Sequence, residues 1–213
     1  MRVIAGPALV AGLALAIGAS DPSQAPGAPP RPGGEVGVRL VTALGNIDLV
    51  LETTRAPVTA GNFLRYVDAG LYDGGRFYRV TRPDNYTPTP PNRPMMNLIE
   101  GDIDPTRDGE RWPAIPLERT SVTGLRHVTG TVSMGRNDGE PDSAASDFFI
   151  LLDDQPSLDF GGRRFTDAQG AAAFGRVVAG LDVVRTIQQQ GPLQERNRQY
   201  LLTPVTMTSA KRR

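Results

Sequence analysis

Hydrophobic and polar positions fall mostly into short runs of period two, broken by two stretches with helical spacing. Residues 36–41 alternate apolar and polar side chains, and Gly45-Asn46 leads into a second apolar run over 47–51. Together they predict a hairpin. After Pro57, residues 59–69 place Phe63, Leu64 and Val67 on one helical face, with Gly70 positioned to end the helix. Further strands are expected over 77–80, 95–99, 146–150 and 174–178. A second helix over 180–189 carries Leu181, Val184 and Ile187, and a closing strand spans 200–208. Periodicity alone gives a mostly-β chain with two helices. The polar stretches 82–94 and 100–118 read as long loops.

Alternation has a chemical consequence in two of these strands. Neighbouring side chains point to opposite faces, so Phe77 and Arg79 are expected on one side and Tyr78 and Val80 on the other. Phe148 and Phe149 must likewise diverge. One can enter a core while the other lines an outer groove beside an arginine, which suits a peptide site.

Composition narrows the chemistry. The 213 residues suffice for one domain and an appendage, and no internal repeat divides the chain. Without cysteine, thiol catalysis, cysteine-zinc sites, structural disulfides and a lipoprotein anchor are excluded. Formal charge is zero, so no general attraction to nucleic acid or anionic membrane is expected, and Lys211 is the lone lysine among many arginines. Arg2 followed by an apolar run to Ala19 reads as an export signal over residues 1–20, cleaved rather than kept as an anchor. The expected location is therefore periplasmic or secreted. Residues 21–35 are crowded with proline, glycine and alanine and read as a disordered spacer.

Other candidate chemistry is weaker. The acids between residues 100 and 118 lack the cadence of a calcium loop and include Pro105. His127, the single histidine, has no accompanying nucleophile elbow and is expected to be structural, its ring bonded to nearby backbone. A hydrolase built on Glu100 and Asp147 would need a defined carboxylate separation.

The segments Phe77-Tyr78-Arg79-Val80, Ser146-Asp147-Phe148-Phe149-Ile150 and Phe174-Gly175-Arg176-Val177-Val178, in that order, resemble the cyclophilin family of peptidyl-prolyl isomerases. Leu44-Gly45-Asn46-Ile47 upstream and Gly130-Thr131-Val132-Ser133-Met134 extend the likeness. The resemblance implies a closed eight-stranded antiparallel barrel over residues 36–209 with a helix across each opening, and residues 210–213 are left as a basic tail. It implies isomerisation of X-Pro bonds in unfolded or extended polypeptides by a monomer that needs no cofactor or metal. Arg79 is then the catalytic residue, and Phe149, Leu98 and Leu158 form the proline pocket. Gly135, Arg136, Asn97, Glu100 and Asp147 complete the substrate-binding set. Departures from the family pattern are glutamine replaced by Glu100 and Asp147, aromatics replaced by Asn97 and near Ser157, and histidine replaced by Tyr78 and Ala171. The loss near Ser157 predicts weak cyclosporin binding. A peptide-binding module or holdase on the same barrel, with little or no catalysis, is the alternative, and Glu100 is expected to orient Arg79.

Overall fold

The computed structural model describes residues 34–85 and 91–213, so the expected signal, residues 21–33 of the expected spacer and part of the 82–94 loop lie outside the described residues. Eight strands are formed: β1 (Glu35–Thr42), β2 (Gly45–Glu52), β3 (Arg76–Thr81), β4 (Leu98–Asp102), β5 (Thr131–Met134), β6 (Phe148–Leu151), β7 (Ala173–Ala179) and β8 (Tyr200–Arg212). They pair antiparallel and close in the order β1-β2-β7-β5-β6-β4-β3-β8. The barrel anticipated from the resemblance is thus present, and closure leaves no open sheet edge.

Inward residues fill the barrel with rings. Phe63 lies 5.2 Å from both Phe148 and Phe174 and 4.8 Å from Tyr72, while Phe77 meets Phe148 at 5.8 Å. These contacts combine large apolar burial with tilted and edge-on ring geometry. Gly101 is small for a reason: a Cβ there would come within 2.9 Å of the Phe77 ring. Phe63 arrives from α1 (Pro57–Asp68), whose first turn lacks a local side-chain cap. Glu118 supplies the cap from a distance, accepting from the Val58 and Thr59 N–H at 3.1 and 2.7 Å, where the helix dipole also favours a carboxylate. A short helix, α2 (Thr120–Thr123), follows later in the chain. At the opposite side, α3 (Leu181–Gln188) buries Val184 and Ile187. It starts at Gly180, where φ is +86° and any side chain would collide with the Asn46 carbonyl.

Several sequence expectations need correction. The hairpin turns at residues 43–44, ahead of Gly45-Asn46, because Thr42 pairs with Gly45 and its hydroxyl bonds across the turn. Glu35 belongs to β1 and not to the spacer. Strand β4 begins at Leu98 and runs through Glu100 to Asp102, into the stretch read as loop, because its acids face outward toward arginines. The expected basic tail is the end of β8: Ala210, Lys211 and Arg212 pair with Leu40, Arg39 and Val38. Their charges satisfy Asp73 and Asp68 on the barrel surface.

Strand β3 also breaks simple alternation. Its register moves from Phe77↔Gly101 to Arg79↔Glu100, leaving Tyr78 as the extra residue of a bulge. Phe77 and Val80 therefore both point into the core, and Arg79 does not share Phe77's side as alternation predicted. On the β8 side the pairing passes from Phe77↔Val205 to Arg79↔Tyr200, so residues 201–204 stand opposite Tyr78, with Leu201 turned into the core.

Candidate active site

Register places one row of residues side by side across the barrel: Tyr200, Arg79, Glu100, Phe149 and Ser133 on successive strands β8, β3, β4, β6 and β5. Adjacent strands are about 4.8 Å apart, so Arg79 and Phe149 are separated at the backbone by about 10 Å with Glu100 between them. Phe148 enters the aromatic core while Phe149 stands on the outer face, the divergence expected from the sequence.

The guanidinium of Arg79 is held at two edges. Nη1 donates to Glu100 Oε2 at 2.5 Å, and Nε and Nη2 both donate to Gln199 Oε1 at 3.0 and 2.6 Å. The two ion-pair partners are only 19% and 14% exposed, so solvent screens this pair far less than a surface bridge. Burial opposes the charge on Arg79, but Glu100 outweighs it and holds the arginine above its ordinary value. An arginine has five N–H donors, so two remain for another acceptor.

Beside this cation lies an apolar cup. It is a buried cluster: Leu98, Phe149 and Leu158, 2, 5 and 1% exposed, gather with Met96, Leu151 and Ala171, and Phe165 packs against them. Arg136 sits with its guanidinium 3.7 Å from the Phe165 ring centre and pairs with Asp167, which fixes one wall of the cup. Arg136 is thus committed to support rather than left open toward a ligand. Asn97 is tied to Gln188 of α3 through its side chain and to Leu152 through its carbonyl, so the structure does not join it to the cup.

A second hollow of about 220 Å³ opens beside Arg79's partner, lined by Glu100, Asp147, Gly135, Asn137, Ser143 and Ser146 among others. Gly135 donates its N–H to the Asp147 carbonyl at 2.8 Å, and a Cβ at Gly135 would crowd Asp147 Oδ1. Tyr78 Oη donates to Asp147 Oδ2 at 2.5 Å. Burial, then the nearby charges of Glu100 and Asp102, hold the Asp147 carboxyl well above the usual range, with the Tyr78 hydroxyl opposing them. Asp147 Oδ1 is a buried oxygen that meets no donor, and a proton retained on this carboxyl avoids burying an unpaired charge there.

His127 takes a different role from the one expected in detail. Its Nδ1 lies 2.8 Å from Asp159 Oδ1 and its Nε2 3.0 Å from Ser133 Oγ, so the ring bonds to side chains, not backbone. Serine, histidine and aspartate stand in triad order, yet Ser133 and His127 are 0% and 1% exposed. Both ends of the His127 ring are already bonded, to Asp159 and to Ser133. The ring stacks at 20° and 6.4 Å on Phe149, which makes the trio a brace behind the cup. Burial raises Asp159, but its bonds to His127 and then to Arg126 prevail and hold it below the usual carboxylate range.

Gln199 escaped sequence reasoning. It lies 120 residues from Arg79 in a polar stretch without a motif, and only the fold brings them together. Among the described residues, no group of three or more histidine, aspartate or glutamate side chains is arranged to hold a metal ion.

Comparison with known proteins follows the same outline. Residues 37–212 match the family described as cyclophilin type peptidyl-prolyl cis-trans isomerase/CLD. The chain is 35% identical to peptidyl-prolyl cis-trans isomerase A of Dickeya dadantii over 179 residues, covering 82% of this chain and 83% of that one. It is 37% identical over 150 residues to a peptidyl-prolyl cis-trans isomerase of Acinetobacter baylyi, covering 70% of each. Among solved structures, a Cryptosporidium parvum cyclophilin type peptidyl-prolyl cis-trans isomerase superposes with a TM-score of 0.64 at 19% identity, covering 84% of this chain and 98% of that one.

Proposed function

The chain belongs to the cyclophilin-type peptidyl-prolyl cis-trans isomerases, and from that membership we propose an exported isomerase that stabilises the twisted X-Pro amide with Arg79. Amide resonance sets a barrier of about 18 to 20 kcal/mol, and isomerisation cuts no bond. The catalyst needs only to bind the twisted amide better than either planar form. In this reading the cup of Leu98, Phe149 and Leu158 takes the prolyl ring. A remaining N–H of Arg79 meets the prolyl nitrogen as its lone pair leaves conjugation. Glu100 orients the guanidinium, and Gly135 and Asp147 border the path of an extended or unfolded proline-containing polypeptide.

The observation that carries this proposal is the guanidinium held at two edges, two strands from Phe149. Arg79→Ala is expected to lower the acceleration of cis-to-trans relaxation in a proline peptide by about a hundredfold while the barrel stays folded. Full activity in Arg79→Ala overturns the role. The opposing charge of Glu100 favours the second reading, a binding module with little catalysis. Peptide binding without acceleration in the same assay selects it.

Export rests on Arg2 and the apolar run through Ala19. Fractionation of cells expressing the full chain and a form lacking residues 1–20 tests it. Equal cytoplasmic retention of both rejects export.

A further inference from the structure

The orientation of Arg79 depends on a residue that the active-site motifs do not contain. Residues 192–202 form a small hairpin: Leu193 bridges Leu201, Gln194 N–H donates to the Tyr200 carbonyl, and Leu202 N–H donates to the Pro192 carbonyl. This hairpin leans on β3 through a 2.8 Å bond from the Val80 N–H to the Gln199 carbonyl. Its product is a single amide oxygen at the Nε/Nη2 edge of Arg79.

We propose that Gln199 is a positioning residue for the isomerase reaction, acting through Arg79; this rests on the proposed role of that arginine. Two holders divide the work. Glu100 fixes Nη1 but places a negative charge against the cation, which weakens the field available to a developing lone pair. Gln199 fixes the opposite edge with a neutral acceptor, so orientation is gained with no loss of charge. A single contact at Nη1 would leave the planar group free to swing about its long stem. Two contacts on different edges define its plane and the direction of the two N–H groups left over. The backbone bond between Val80 and Gln199 does not involve the side chain, so trimming the amide leaves the hairpin anchored.

The test compares Gln199→Ala, Gln199→Glu, Arg79→Ala and the Arg79→Ala/Gln199→Ala double variant, using the full chain and a proline tetrapeptide. Thermal melts confirm folding, and the Arg79 Nε–H resonance reports the clamp. Gln199→Ala is expected to lower kcat about tenfold with KM little changed, because the cup that binds the ring is intact. It should also lose the protected Nε–H signal. Gln199→Glu should keep that signal yet lower kcat, since the clamp persists while a second carboxylate offsets the cation. In the Arg79→Ala background, removing Gln199 should change nothing further. Wild-type kcat in Gln199→Ala, an unchanged Nε–H signal there, or a further tenfold loss when Gln199→Ala is added to Arg79→Ala each overturns the assignment. A fully active Arg79→Ala would sink the arginine's own role, and the Nε–H readout would still report whether Gln199 holds the side chain.

Discussion

Two buried carboxyl groups flank Phe149 and titrate in opposite directions. Asp159, behind the cup, is held low because His127 and Arg126 outweigh its burial. Asp147, on the Arg79 side, is held high because burial is compounded by Glu100 and Asp102. Burial opposes ionisation of both and weighs more heavily on Asp147, while at Asp159 the bonds of its neighbours reverse the sign. The rear of the cup uses a charge complement to lock a ring in place. The front confines two acids, and the arginine that could relieve them is shared with Gln199.

The sign of each contribution to stability follows. Asp159 has a lowered folded pKa, so its contribution is present above the unfolded value near 4 and is lost as pH falls through the folded one. Asp147 has a raised folded pKa. Its contribution is complete below the unfolded value and is lost as pH rises through the folded one.

The strongest way to break this contrast is Asp159→Ala, which strips the buried His127 ring of its partner. A loss of about 2 to 3 kcal/mol in denaturant unfolding is expected, and a loss near zero would show that the brace carries no energy. Asp147→Asn should act oppositely, adding about 1 kcal/mol near neutral pH because an amide buries no charge beside Glu100 and Asp102. Its advantage over the parent should grow as pH rises from 4; a difference independent of pH would rule out a retained proton. Glu100→Gln sharpens the front side by removing a like charge from Asp147 and an opposite charge from Arg79. The isomerisation rate should shift by about threefold, and unchanged rates in both Glu100→Gln and Glu100→Ala would remove Glu100 from the mechanism. Arg126→Ala should matter least, at about 0.5 kcal/mol or below, because its side chain is 73% exposed. A larger effect would mean that Arg126, rather than His127, dominates the Asp159 environment.

How far the chain could be read in advance depended on whether a local rule survived its tertiary setting. Phe148 and Phe149 obeyed period two because β6 pairs regularly with both neighbours. Arg79 and Val80 escaped it because the bulge at Tyr78 inserts a residue that no composition signal marks. The polar half of β4 looked like loop since Glu100 and Asp102 spend their outward positions on arginines outside the strand, Arg79 and Arg111. The cup residues were legible as motif members, whereas Gln199, the bonding of Asn97 to Gln188 and the side-chain partners of His127 depend on contacts that sequence spacing does not encode.

The placement of β8 has one more consequence. It lies between β1 and β3 in the ring, so it is the zip that turns a curled sheet into a tube. A chain cut before Tyr200 would bare the flanks of both neighbouring strands at once. Such a fragment would be adhesive toward its own copies, stitching edge to edge where the intact molecule has nothing left to pair.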